Sequence, residues 1–234
     1  MTENLSQKEF CQLIMHVALA ACFKHEDEFL SEDQIIARNY APTEYFGKRC
    51  IASLIDSGII EFEIRDYGLP IGGNESTLFI KCPVKEDEDL DSYIYKHAEN
   101  IIDILPQSES YTTYLKALSQ EVLACECIEY CEFYAKRAQL VVTSTNHKNA
   151  RLRLLLLECQ GDVVNMLVWQ AIKKLANKIT PDSRCFEFSD IIEIAFDRYT
   201  YYKKIHVLPE GYKRPSTLKT SVLSGFLELY LNDI

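Results

Sequence analysis

Cations and tyrosines alternate over one short stretch near the C-terminus. Arg198, Lys203, Lys204, Lys213, Arg214 and Lys219 stand among Tyr199, Tyr201, Tyr202 and Tyr212. Cations for phosphate and aromatic faces for stacking are the means by which single-stranded nucleic acid is bound. Tyrosine and arginine are equally the residues that concentrate binding energy in protein interfaces. A third reading needs no ligand, because Lys203 and Lys204 in the last turn of a helix complement its dipole. All three readings stand for this second patch, whose core is Arg198, Tyr202, Lys203, Lys204, Tyr212, Lys213 and Arg214.

Other reactive residue types form no recognisable constellation. Cys125, Cys127 and Cys131 lie close in sequence, but on a helix the first two point about 200° apart and cannot share an ion. Cys127 and Cys131 do share a face, and a redox role for that pair stays open beside the reading as core thiols. No Cys-x-x-Cys or His-x3-His pair accompanies them, so no metal site is expected. The five histidines, at 16, 25, 97, 147 and 206, are isolated from one another. No Gly-x-Ser-x-Gly, His-Glu-x-x-His or phosphate-binding Gly-x4-Gly-Lys motif occurs. Pro181, Asp182 and Glu187 faintly match a nuclease pattern, but Ser189 stands where that pattern requires lysine. The expectation is a non-enzymatic protein without a cofactor.

Nearly half of the 234 residues are apolar, and the formal net charge is −10. Residues 1–84 carry 7 Lys/Arg against 13 Asp/Glu, residues 85–150 carry 6 against 12, and residues 151–234 carry 12 against 10. An acidic N-terminal half opposes nonspecific DNA binding, which depends on neutralising phosphates. The polar start, the lack of a long uncharged apolar run and nine scattered cysteines lead to the expectation of a soluble, cytoplasmic chain with reduced thiols.

The elements that would position these residues are marked by caps and periodicity. Ser6 and Glu9 form a capping box ahead of Phe10, Leu13, Ile14, Val17, Ala18 and Ala21, predicting a helix that ends near Lys24. Ser31 with Gln34 forms a second box, and Pro42 stops that helix near Tyr40. Thr43 caps a third helix with Phe46, Cys50, Ile51, Leu54 and Ile55 on one face and Gly58 beyond its end. The alternating runs Ile60, Phe62, Ile64 and Leu78, Ile80, Cys82 predict a hairpin with a long tip.

Three helices with a sharp turn and then a hairpin resemble the winged-helix family of helix-turn-helix proteins. The resemblance covers residues 1–84 and rests on element order. It implies that the third helix lies in the major groove of duplex DNA while the hairpin, or wing, reaches the neighbouring backbone. The reading face is then Thr43, Tyr45, Lys48 and Arg49 with Glu44 and Ala52. Gly47 would let the backbone approach the groove, Arg38 would touch a phosphate, and Arg65 and Asn74 would serve on the wing. Arg49 has the geometry for guanine O6 and N7. The wing also carries Asp66 and Glu75, and the same domain could instead dock on protein.

Residues 85–234 are expected to form a helical dimerisation, sensing or interaction domain. Helices are predicted from about Leu90 to Leu105, Thr112 to Leu140 and Asn149 to Asn177, the last with a kink at Gly161. A further helix is capped by Ser189, and a final one opens at Ser216. The expected fold is mainly α with a small β-hairpin. Two functions follow: a DNA-binding regulator, or a protein-interaction subunit of a larger assembly, with a protein partner or homodimer in either case.

Overall fold

The computed structural model describes residues 5–68, 74–84, 88–178, 184–207 and 209–232; at Tyr67, Gly68, Asn74 and Glu75 it describes the backbone alone. The chain is mainly helical, with a small three-stranded antiparallel sheet. It divides into two compact units, one of residues 1–119 with 220–234 and one of residues 120–219.

In the first unit, α1 (Gln7–Ala20) begins at the Ser6–Glu9 capping box. The strand β1 (Phe29–Ser31) leads into α2 (Glu32–Ala37), whose cap is the Ser31–Gln34 box. α3 (Glu44–Asp56) is capped by Thr43, whose hydroxyl accepts from the Phe46 amide at 3.3 Å. Gly58 closes α3 at φ 66°, a left-handed conformation that costs glycine little. β2 (Phe62–Gly68) and β3 (Asn74–Lys81) form the hairpin, with Phe62 opposite Ile80 and Ile64 opposite Leu78. β1 pairs with the other side of β3, so the sheet order is β1-β3-β2. Sequence did not reveal β1, because its three residues double as the entry to α2.

α4 (Leu90–Ile104) packs on α1, and so does α9 (Val222–Asn232). Phe10 of α1 stacks on Tyr111, with ring centroids 5.0 Å apart and planes 12° apart. The division expected between residues 84 and 85 therefore lies elsewhere in the packing: α4, the start of α5 (Glu109–Arg137) and the C-terminal helix all share the core of α1. The final helix begins at Val222 and not at Ser216, with the Ser221 hydroxyl accepting from the Ser224 amide at 3.1 Å.

The second unit gathers the rest of α5, β4 (Val141–Thr143), α6 (Ala150–Glu158), α7 (Gly161–Ala176), β5 (Cys185–Glu187) and α8 (Phe188–Lys204). β4 and β5 form a parallel pair three residues long, too short for alternation in the sequence to announce. The helix expected to kink at Gly161 is two helices, because Cys159 is extended at φ −131° and ψ 151°. The cap of α8 is Glu187, in a box with Asp190, and Ser189 instead donates to the Glu187 carboxylate. Leu167, Val168, Ile172, Phe188, Ile191 and Ile192 anchor the core. Among the described residues no helix is long and apolar enough to cross a membrane.

His16 of α1 is a partly buried histidine whose charged form the fold disfavours. It lines a cleft of about 880 Å³, and its buried Nε2 has no hydrogen-bond partner among the described residues. Tyr93 and His97 of α4 lie edge-on to it, at 6.2 and 6.5 Å. Burial, with the nearby His97, lowers His16 to about 4, whereas an unfolded histidine titrates near 6.5. The unfolded chain thus binds the proton that the folded chain refuses, and stability falls as pH drops from about 6.5 to 4. Between pH 7 and 5 this contributes about 1–2 kcal/mol. Urea midpoints at the two pH values should converge in His16→Phe relative to the wild type; equal losses in both proteins would contradict the assignment.

Candidate functional site

The outward stripe of α3 is Glu44, Tyr45, Lys48, Arg49, Ala52 and Asp56, spaced at one helical turn. It is fixed from behind. Tyr40, fully buried, donates from its hydroxyl to the Met15 carbonyl at 3.0 Å. A Cβ at Gly47 would come within 2.4 Å of Ile36 Cδ1, so Gly47 lets α3 close on α2. That corrects its expected role, since Gly47 is buried and faces away from any groove.

Lys48 and Arg49 on this stripe are already engaged. Lys48 Nζ lies 2.8 Å from Glu44, 3.6 Å from Asp33 and 3.7 Å from Glu32. The hydrogen bond to Glu44 raises the Lys48 pKa, and all three carboxylates favour its charged form. Arg49 sits 5.9 Å from the ring centres of both Tyr45 and Phe46, and Tyr45 is 65% exposed. Thr43 uses its hydroxyl as the helix cap. Only the Glu44–Lys48 pair, four residues apart on one helix, was readable as spacing; Glu32 and Asp33 arrive from α2.

Arg38 and Arg65, also expected to contact DNA, are held by groups of the fold. Arg38 forms an ion pair with Asp27 and donates to the Cys22 carbonyl at 2.7 Å. Its hydrogen bond holds Asp27 below the usual carboxylate range. Arg65 pairs with Glu63 and lies over Phe79 at 4.4 Å and Phe29 at 4.9 Å. Asn74 pairs with Gly68 in the ladder, and its side chain lies outside the described residues.

The second patch separates into anchors and exposed groups. Arg198 donates to Gln170 at 2.8 Å, and Tyr202 meets the same amide at 3.4 Å. Lys203 pairs with Glu158 and lies over Tyr199 at 5.5 Å. Arg214 pairs with Glu129, lies 3.8 Å from Glu126, and donates to the Leu218 carbonyl at 3.1 Å. Tyr212 sits edge-on to Trp169 at 5.3 Å. Lys204, Lys213 and Tyr201 remain exposed. The stretch is not one continuous cationic surface, because its arginines hold the second unit together.

No disulfide joins any of the nine cysteines. Burial pushes the Cys127 thiol up to about 12 and raises that of Cys131, so the shared face of this pair disfavours the reactive thiolate. Among the described residues no three His, Cys, Asp or Glu side chains are placed to hold a metal ion. Comparison with protein-family models, with curated proteins and with solved structures finds no match.

Arg214 gives a direct test of its anchoring role. Glu129 is raised by burial even with Arg214 beside it. Arg214→Ala removes the partner of a partly buried carboxylate and should cost about 2–3 kcal/mol at neutral pH. A raised carboxyl contributes stability at low pH that is lost as pH rises through its folded value, and the variant raises it further. The deficit should therefore shrink as pH falls through the carboxylate range. Unchanged stability at pH 7 would return Arg214 to the class of ligand contacts.

Proposed function

We propose that the N-terminal unit is a winged-helix domain used as a non-enzymatic protein-interaction module, part of a larger assembly in a reducing compartment. Support for the fold reading is the order helix, strand, helix, helix, strand, strand, together with the sheet order β1-β3-β2. The observation that carries the function is the carboxylate cage of Lys48.

Around that cage α3 offers two outward cations, Lys48 and Arg49, against its own Glu44 and Asp56 and against Glu32 and Asp33 of α2. The wider field has the same sign: the first unit carries 10 Lys/Arg against 23 Asp/Glu, a net of −13, while the second carries 15 against 12, a net of +3. Duplex binding gains affinity from counterions released by about 6–10 phosphate contacts. Two cations supply at most a salt slope of about −2, even if Lys48 abandons its carboxylates. An acidic helix face carrying a widely exposed tyrosine is better matched to a basic protein surface, with Tyr45 as its central contact.

A second reading is duplex DNA recognition by α3, and Arg49 with Tyr45 favours it. Both are exposed side chains on the helix that winged-helix proteins place in the major groove, and Arg49 is suited to guanine.

A titration of the full chain with mixed duplexes from 50 to 200 mM salt separates the two. The protein-docking reading gives weak binding with a slope no steeper than about −2, and a gain in DNA affinity when Glu32, Asp33 and Glu44 are changed to their amides. Tight binding with a steep slope that Arg49→Ala abolishes would establish the DNA reading instead.

A further inference from the structure

β2 is an edge strand of seven residues, and among the described residues no strand pairs with its far side. Long edges with apolar side chains recruit another strand unless they are covered, bulged or charged against it. Phe62 is 47% exposed and Ile64 63% exposed, although Ile80, directly opposite Phe62, is fully buried. The hairpin outruns the core that covers its base, and leaves an apolar strip on an open edge.

We propose that β2 binds β2 of a second copy of this chain, antiparallel and centred on Ile64, so that two three-stranded sheets become one of six. The charge pattern of the strand selects both the partner and the register. Centring on Ile64 sets Ile64 against its counterpart, Glu63 against the second copy's arginine at 65, and Arg65 against its glutamate at 63. Centring on Glu63 would place two glutamates directly opposite, and like charges in that position destabilise a ladder. A register centred between residues would put apolar side chains on the polar face, because strand side chains alternate. Within one copy Glu63 already holds Arg65; in the pair each carboxylate lies between two guanidiniums. Phe62 falls opposite the second copy's aspartate at 66, a group already accepting from Ser76 at 2.6 Å within its own hairpin. The surface lies on the wing, and the inference stands apart from the reading of α3.

The full chain should sediment as a dimer. Glu63→Arg and Arg65→Glu each create two like-charge pairs across the two-fold, and each should weaken dimerisation roughly tenfold or more. Mixed in equal amounts, the two variants should recover the dimer, since one strand then carries two arginines and the other two glutamates. An ion pair within one strand cannot produce that recovery. Ile64→Cys should also form a covalent dimer on oxidation, faster than the wild type and faster than Phe62→Cys. Circular dichroism melts confirm that each variant is folded, and the Ile64→Cys cross-link serves if one is not. A monomeric wild type at tens of micromolar, dimers that survive both charge variants, or folded variants that stay monomeric when mixed would each overturn the proposal.

Discussion

The turn between α2 and α3 is tied down on three sides, and the presentation of α3 depends on it. Asn39 adopts φ 62°, a left-handed conformation that asparagine tolerates better than most residues. Tyr40, next in the chain, is buried with its hydroxyl on the carbonyl of Met15 in α1. The start of the C-terminal helix closes the third side: the amides of Val222 and Leu223 donate to the carbonyls of Asn39 and Tyr40 at 2.9 and 3.0 Å, and the Asn39 side chain donates to Thr220 at 2.8 Å. The orphan amides at the start of one helix thereby satisfy the exposed carbonyls of a turn. Gly47 then allows α3 to close on α2. With the turn fixed, the stripe from Glu44 to Asp56 has one orientation, and its chemistry follows from the side chains alone.

Local signals in the sequence were strong where one turn of helix sufficed. The boxes at Ser6 and Ser31, the Thr43 cap and the glycine after α3 are interactions across two or three residues, and each is present in the structure. What was illegible spans long separations. The return of residues 220–223 to the turn links positions about 180 apart, and no periodicity encodes it. β1 and β4 are three residues each, too short for alternation to register. Gly47 was read as close approach to a groove, and only packing shows that it serves close approach to a neighbouring helix. The break at Cys159 escaped because the apolar positions of α6 and α7 continue across it almost in phase.

The candidate site was legible in its membership and illegible in its charge. Lys48, Arg49 and Tyr45 do share the outward face of α3. Two of the three carboxylates that surround Lys48, Glu32 and Asp33, come from α2, and their proximity is a product of the pinned turn. The same holds in the second unit, where Arg198 and Arg214 looked like surface cations by composition and are occupied with Gln170 and with Glu129. In both units the groups that occupy these cations come from other elements of the fold, which composition does not show.

Amide hydrogen exchange at Val222 and Leu223 tests the central claim, that the C-terminal segment belongs to the first unit and holds the α2–α3 turn. The account requires both amides to be protected as strongly as the interior amides of α3, and to lose protection together with them in denaturant. Free exchange at Val222 and Leu223 while α3 stays protected would contradict it, and would leave the orientation of the α3 face without its cause.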